Sequence, residues 1–252
     1  MTKILTYFAT ASILIISLTS CGPDRRSTTQ ILNAAVESGS KNNWKEALEL
    51  AMEAARREPE NSSAWLMLAI AYENNARKDL AIQTARKAVK CDPDNFLAQY
   101  ILGRLYFETP DKIQDSVQPL LSALKLKPDD PNILILLGQV YRRLNMDKPE
   151  QFYERLAKTK RFKDRPEPWN EMGVIYAARN DSANTAKCLV KAYYTAPDNH
   201  TTVLNLAICM DRHGRKSKAI SFYKKYLNLI ANNPELEHQR QRIRHRIREL
   251  SS

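Results

Sequence analysis

The strongest constraint on the fold is an internal repeat that begins near residue 28. Its clearest copies are WLMLAIAY at 65–72 and WNEMGVIY at 169–176, both of the form W-x-x-[LM]-[AG]-x-x-Y. Aligning the related stretches gives six copies that start near residues 28, 62, 96, 131, 166 and 200. A chain with this period forms a solenoid, because each unit can bury its apolar face only against its neighbours.

Each copy has the pattern of two paired helices. Trp65, Leu68, Ala69 and Tyr72 fall at i, i+3, i+4 and i+7, which places them on one face of a helix. The second half of a copy carries small residues at fixed offsets and a closing proline, as at Ala81, Ala85, Ala88 and Pro93. With only six glycines and many strong helix formers, the sequence predicts an all-α fold.

The pattern resembles the tetratricopeptide repeat, and the resemblance covers residues 28–233. It implies a right-handed α-solenoid of about six helix-turn-helix units, followed by a basic capping helix over 234–252. An apolar stripe of Leu236, Ile243, Ile247 and Leu250 supports the cap. The predicted repeats 1 to 6 span 28–61, 62–95, 96–130, 131–165, 166–199 and 200–233.

Two repeats depart from the pattern. Ser38 occupies the usual Tyr position of the pattern, which predicts a loosely packed first repeat. In the fourth repeat Pro149 falls where the second helix should begin, and Glu150 replaces a small residue. We therefore expect a bend or a widened joint between repeats 4 and 5.

The N-terminus reads as an export signal. Residues 4–18 form an apolar stretch after Lys3 that is too short for a permanent membrane span but long enough for a signal peptide. Leu18-Thr19-Ser20-Cys21 resembles the lipobox of bacterial lipoproteins, which implies cleavage after residue 20 and acylation of Cys21. The alternatives are an uncleaved short anchor and a plain secretory signal.

The lipoprotein resemblance also implies a location. Several acyl chains anchor a protein stably, whereas one chain binds only marginally. Gly22 follows the cysteine, which in the sorting rule of enterobacterial lipoproteins favours the outer membrane, facing the periplasm. Residues 21–27 would then be a lipidated tether that keeps the folded part close to the membrane.

The chain is strongly basic, with a formal net charge of +11. The densest stretches are KTKRFKDR at 158–165 and RQRIRHRIR at 240–248. Each run fits an ordinary solvated helix face, but a basic surface that binds anionic lipid or another envelope polyanion remains a second interpretation. An exported protein would not meet nucleic acid, so we expect no nucleic-acid partner.

No stretch of the sequence points to catalysis. Phosphate-binding loops, H-E-x-x-H and G-x-S-x-G are missing. Cys188 and Cys209 lie within helical patterns and read as small core residues, and the four histidines read as surface or turn residues. The sequence therefore predicts a protein that is not an enzyme and needs no cofactor or metal.

The resemblance to tetratricopeptide proteins places a binding groove on the first helices of the repeats. Read onto this chain, the inward positions are unusually apolar, which suits an amphipathic helix or an extended apolar peptide. The alternative is that the C-terminal helix or a second protomer covers this surface, so a homo-oligomer is possible. The expected groove residues are Leu66, Ile70, Tyr100, Arg104, Phe107, Ile135, Gln139, Arg142, Asn170, Val174, Leu204 and Ile208.

Together these patterns predict a membrane-anchored interaction scaffold that assembles or stabilises a cell-envelope complex. Its partner would be another envelope protein or a peptide segment. A lipobox followed by six such repeats also resembles the pilotin class of type IV pilus lipoproteins, which escort an outer-membrane secretin. That escort role is the alternative function.

Overall fold

The computed structural model describes residues 26–252, and the predicted signal peptide, Cys21 and most of the tether lie outside the described residues. The described part is helical and contains no strand. The expected all-α fold, built from helix pairs with a C-terminal capping helix, is confirmed. The chain divides into two compact units, which we call the N-terminal unit (up to Pro128) and the C-terminal unit (Asp129–Ser252).

The N-terminal unit contains three helix pairs. A short 3₁₀ segment, Pro110–Ser116, precedes its last helix and shortens that helix. The helices are α1 (Thr28–Ser40), α2 (Trp44–Arg57), α3 (Ser62–Asn74), α4 (Lys78–Cys91), α5 (Phe96–Phe107) and α6 (Val117–Leu126).

The C-terminal unit contains three further pairs and the cap. Its last helix follows a 3₁₀ turn, Pro234–Leu236. The helices are α7 (Pro131–Arg143), α8 (Glu150–Lys158), α9 (Glu167–Ala178), α10 (Ser182–Thr195), α11 (His200–Arg212), α12 (Lys216–Leu229) and α13 (Glu237–Ser251).

Asparagine and aspartate side chains fix the starts of most first helices. Asn61 accepts a hydrogen bond from the backbone N–H of Ala64, and Asn95 does the same for Ala98. Asp130 and Asn199 cap α7 and α11 in the same way. Such a cap satisfies an N–H that the helix leaves without a partner, which explains why the turn after each closing proline ends in Asp or Asn.

Glycines allow the two helices of a repeat to approach closely. A Cβ atom added to Gly138 would lie 2.5 Å from the Tyr153 ring, and one added to Gly103 would lie 2.6 Å from Leu120. Gly173 meets Leu189 at the same distance of 2.6 Å. The small residue of the repeat pattern is therefore required for packing.

The first repeat is packed more firmly than its sequence predicts. The Ser27 side chain and Gln30 form a reciprocal capping box at the start of α1. Ser38 is buried, and its hydroxyl donates to Glu46 of α2 at 2.9 Å. The hydrogen bond replaces the missing aromatic contact, so the expectation of a loose first repeat was wrong.

The fourth repeat carries the expected irregularity. Pro149 occupies the cap position of α8, which is only nine residues long. Eight residues (159–166) separate α8 from α9, whereas four separate consecutive repeats elsewhere between α2 and α11. The longer link agrees with a widened joint, and the bend between repeats 4 and 5 stays a prediction.

Candidate peptide-binding surface

The residues expected to line a groove lie on the first helices of the repeats. In the N-terminal unit most of their side chains are buried or half-buried against other parts of the fold. Leu66 and Ile70 are 1% and 6% exposed and belong to the core shared by α3, α4 and α5. Tyr100 and Phe107 are half-buried on α5. Leu66 and Ile70 therefore contribute packing, not open binding surface, in this structure.

Arg104 is held by two carboxylates. Its guanidinium donates two hydrogen bonds of 2.6 Å to Glu73 of α3 and one of 2.8 Å to Glu108. Burial disfavours the charged form of Arg104, but the two carboxylates outweigh it and raise the pKa of Arg104 above its ordinary value. The positive charge of Arg104 is thus compensated by carboxylates of the protein itself.

In the C-terminal unit the expected groove residues of repeats 4 and 5 differ in exposure. Ile135 and Gln139 are half-buried, and the exposed Arg142 lies 3.8 Å from Glu171 of α9. Asn170 is buried and donates to the Thr202 hydroxyl at 2.7 Å, which ties α9 to α11. Val174 is the most open of the expected apolar residues, at 38% exposure.

A cavity of about 580 Å³ opens between α9 and α11. Its apolar wall includes the expected groove residues Val174 and Ile208, which the fold brings together with Leu189 of α10. Its polar edge is formed by Asn180 in the turn after α9 and by Arg212 at the end of α11. We call this space the α9–α11 cavity.

The polar edge of the α9–α11 cavity was not foreseen from the sequence. Asn180 has a positive φ of 58°, a conformation that asparagine tolerates in a tight turn. Arg212 and His213 lie after the last inward-facing position of the repeat, so the positional rule taken from the family passes over them. A basic pair at the end of a first helix, "DRHGR", was the available signal.

The remaining expected groove residues, Leu204 and Ile208, lie beneath the C-terminal helix. Ile243 and Ile247 of α13 pack with them against the cluster of Ala207, Ala219, Tyr223 and Leu250. A second cavity, of about 610 Å³, remains between α11, α12 and α13, and Ile208 lines this cavity as well. Self-coverage by the C-terminal helix therefore applies to this last part of the expected groove.

An ion-pair latch fixes α13 in this place. Arg246 donates two hydrogen bonds of 2.8 Å to Asp211 of α11, and the Tyr223 hydroxyl donates to the same carboxylate at 3.1 Å. Arg246 and then Tyr223 lower the pKa of Asp211. Burial, followed by the Asp211 hydrogen bond, raises the pKa of Tyr223 to about 12.

The cysteine and histidine beside the α9–α11 cavity do not form a nucleophilic pair. His213 Nδ1 lies 2.7 Å from the Cys209 carbonyl oxygen, which can only accept, so Nδ1 carries the proton. It cannot also accept the proton of the Cys209 thiol, whose Sγ lies 3.8 Å away. Burial moreover raises the pKa of Cys209, which opposes thiolate formation.

The described part of the chain offers neither a metal-binding cluster nor a helix that could span a membrane. Residues 26–252 hold no group of three or more His, Cys, Asp or Glu side chains arranged to bind a metal ion. Within the same range, no helix has the length and apolar character needed to cross a membrane. The four histidines are exposed, and Cys188 and Cys209 are buried, as their sequence context predicts.

The helix pairs, the close glycine contacts and the capping helix define an all-helical repeat fold. Residues 33–96 match the model of the tetratricopeptide repeat family. Two curated relatives share the similarity. Tetratricopeptide repeat protein 37 of Xenopus laevis is 28% identical over 127 residues, 50% of this chain and 7% of that protein. The BBSome complex member bbs-4 of Caenorhabditis elegans is 24% identical over 154 residues, which are 61% of this chain and 33% of that protein. The chain thus spans a third or less of either relative.

Solved structures share the fold. Pseudomonas aeruginosa pilF matches with a TM-score of 0.62 and 16% identity, over 85% of this chain and 97% of that one. YrrB is described as a tetratricopeptide protein with an unusual peptide-binding site. It matches with a TM-score of 0.61 and 15% identity, over 77% of this chain and 100% of that one. PilW, described as a widely conserved type IV pilus biogenesis factor, matches with a TM-score of 0.52 and 22% identity, over 68% and 78%. At these identities the likeness concerns the fold.

Proposed function

We propose that the protein is a membrane-anchored adaptor that captures a segment of another envelope protein in the α9–α11 cavity. The single observation that carries this proposal is the cavity itself, whose apolar lining includes Ile208 and the solvent-exposed Val174. An apolar cleft with a few polar groups at its edge is the usual form of a binding site for a peptide side chain.

The tetratricopeptide fold supports an interaction role, since such repeats serve as protein-binding scaffolds. The lipobox at Leu18–Cys21 supports anchoring through acylated Cys21, at the outer membrane and facing the periplasm. In that arrangement the scaffold would hold its partner near the lipid surface. The proposed role is that of a scaffold and not of an enzyme.

Site-specific crosslinking in intact envelopes tests the capture. A photo-reactive amino acid replaces Val174 in one strain and Val190 of α10 in another, because the two valines are equally exposed, at 38% and 39%. Of these two valines, only Val174 lines the α9–α11 cavity. We expect a protein adduct from position 174 and none from position 190. Identical adducts from both positions, or none from either, would contradict the proposal.

Anchoring has its own test. Changing Cys21 to Ala removes the acylated thiol, so the variant should not incorporate a labelled fatty acid that the wild-type protein incorporates. A serine at position 17 offers a matched control, since Ser17→Ala leaves the lipobox intact. Equal labelling of the wild type and the Cys21 variant, or no labelling of the wild type, would contradict lipid anchoring through Cys21.

Escort of a secretin is the second candidate function. It is favoured by the match to pilF over nearly the whole of that chain, together with the match to PilW. The crosslinking experiment separates the candidates, because mass spectrometry of the Val174 adduct identifies the partner. A secretin would support the escort role, and any other envelope protein would favour the general adaptor.

A further inference from the structure

The lining of the α9–α11 cavity includes both apolar and basic side chains. Val174, Leu189 and Ile208 form the apolar part, and Arg212 and His213 lie at one end. No aspartate or glutamate is among the residues that line it. An occupant with an apolar side chain alone would leave the cationic end without a counterpart.

The Arg212 guanidinium is available to a ligand. Among residues 26–252, no carboxylate forms an ion pair with it, whereas Arg142, Arg179 and Arg246 of the same unit each have one. Asp181, in the turn beside the cavity, is already engaged as the cap of α10, where it accepts from the backbone and side chain of Asn184. The cation at this end is therefore uncompensated within the described chain.

The charge of the chain is divided unevenly between the two units. Residues 26–128 contain 14 Lys and Arg against 13 Asp and Glu, whereas residues 129–252 contain 23 against 14. Nine of the ten excess basic charges of the described chain thus belong to the unit that holds the cavity. A positive field of this kind attracts an acidic partner and disfavours a basic one.

We propose that the α9–α11 cavity takes an acidic protein segment in which an apolar side chain lies next to an Asp or Glu side chain. This inference rests on the proposed function and names the chemistry of the captured segment. The apolar side chain fills the space between Val174 and Ile208, and its burial drives binding. The neighbouring carboxylate accepts charge-assisted hydrogen bonds from Arg212, which give specificity.

A protein segment fits this site better than a lipid surface does. The apolar part is a recessed space of about 580 Å³ with walls from three helices, which suits side chains and excludes a flat bilayer. A membrane would instead contact the protruding arginines of α13, among them the exposed Arg244. Binding to anionic vesicles is accordingly the competing outcome of the test.

The experiment selects peptides from a random seven-residue library with the purified full-length protein in mild detergent. The library is displayed within a loop, so that no free terminal carboxylate is present. We expect the selected sequences to be enriched in an aliphatic or aromatic residue beside Asp or Glu. A selected peptide is then measured against wild type, Arg212→Gln and, as the matched control, Arg244→Gln.

The expected result is binding about tenfold or more weaker for Arg212→Gln and within about twofold of wild type for Arg244→Gln. Enrichment of purely apolar or basic peptides, or equal losses in both variants, would overturn the acidic specificity while leaving peptide capture intact. Failure to enrich any peptide would overturn the proposed function as well. If vesicles containing phosphatidylglycerol bind wild type and bind Arg212→Gln more weakly than Arg244→Gln, the Arg212 charge is assigned to lipid and the inference is overturned.

Discussion

Arg246 of α13 and Asp211 of α11 form a two-pronged ion pair, with both hydrogen bonds at 2.8 Å. The pair joins residues 35 positions apart and fixes the C-terminal helix across Leu204 and Ile208. The Tyr223 hydroxyl of α12 completes the contact. The last helix is therefore held by charge as well as by its narrow apolar stripe, in which Leu250 is the one buried residue.

The latch predicts a pH-dependent contribution to stability. Arg246 lowers the pKa of Asp211 below the value of about 3.9 expected in the unfolded chain. Because the folded-state pKa is depressed, the stabilisation is present above about pH 4 and is lost as the pH falls through the folded value. Asp211→Asn should lower the thermal unfolding midpoint at pH 6, and circular dichroism should show the difference from wild type narrowing below about pH 4. A constant difference from pH 6 to pH 3 would contradict the role of the ionised carboxylate.

The Glu73–Arg104 pair predicts a larger cost than a surface ion pair. Both side chains are mostly buried, at 18% and 15% exposure. Glu73→Gln leaves a buried arginine with weaker hydrogen bonding, so we expect urea unfolding to show a loss of about 1–2 kcal/mol. Glu37→Gln, which removes the partner of the exposed Lys41, is the control and should leave the midpoint unchanged. Equal effects of the two substitutions would show that burial does not strengthen the inner pair.

The open valine of the cavity predicts a binding defect without a folding defect. Val174→Glu places a carboxylate in the apolar wall, which should remove the crosslinked partner from affinity-purified envelopes. Val190→Glu has the same exposure but lies outside the cavity, so it should retain the partner. Matching circular dichroism melting curves would show that both variants remain folded. Loss of the partner in both variants would argue against the cavity as the capture site.

The turn between α3 and α4 predicts a stabilising substitution. Ala76 adopts a φ of 58°, where the Cβ atom of an L-residue is strained by roughly 1 kcal/mol. Ala76→Gly should therefore raise the free energy of unfolding by about 0.5–1 kcal/mol in urea titration. Gly214 has the equivalent conformation in the turn before α12, so Gly214→Ala is the reverse control and should destabilise. Destabilisation by Ala76→Gly would mean that the added freedom of the unfolded chain dominates.

The sequence predicted the fold well because the repeat imposes it. Periodic apolar positions, small residues and closing prolines determine the helix pairs, and Gly138 against Tyr153 illustrates how one repeated position sets one contact. The looseness expected at Ser38 was wrong because a polar contact to Glu46 can replace aromatic packing. A pattern of residue types does not reveal such compensation.

The binding surface was less predictable. The positional rule of the family marks inward-facing residues, but it cannot say which of them neighbours will bury, as happens to Leu66 and Asn170. It also omits the turn residues that close the α9–α11 cavity. The pairing of Glu73 with Arg104 could have been noticed, because these opposite charges occupy inward positions of adjacent repeats.

The position of Ile208 links ligand binding in the α9–α11 cavity to the packing of α13. Its side chain lines the α9–α11 cavity and also the space beneath α13, so one residue forms part of both walls. A ligand that displaces the Ile208 side chain therefore changes the packing beneath α13. By thermodynamic reciprocity, any change that loosens α13 alters the affinity of the cavity to the same degree. The capping helix therefore ends the repeat array and also affects the affinity of the α9–α11 cavity for its ligand.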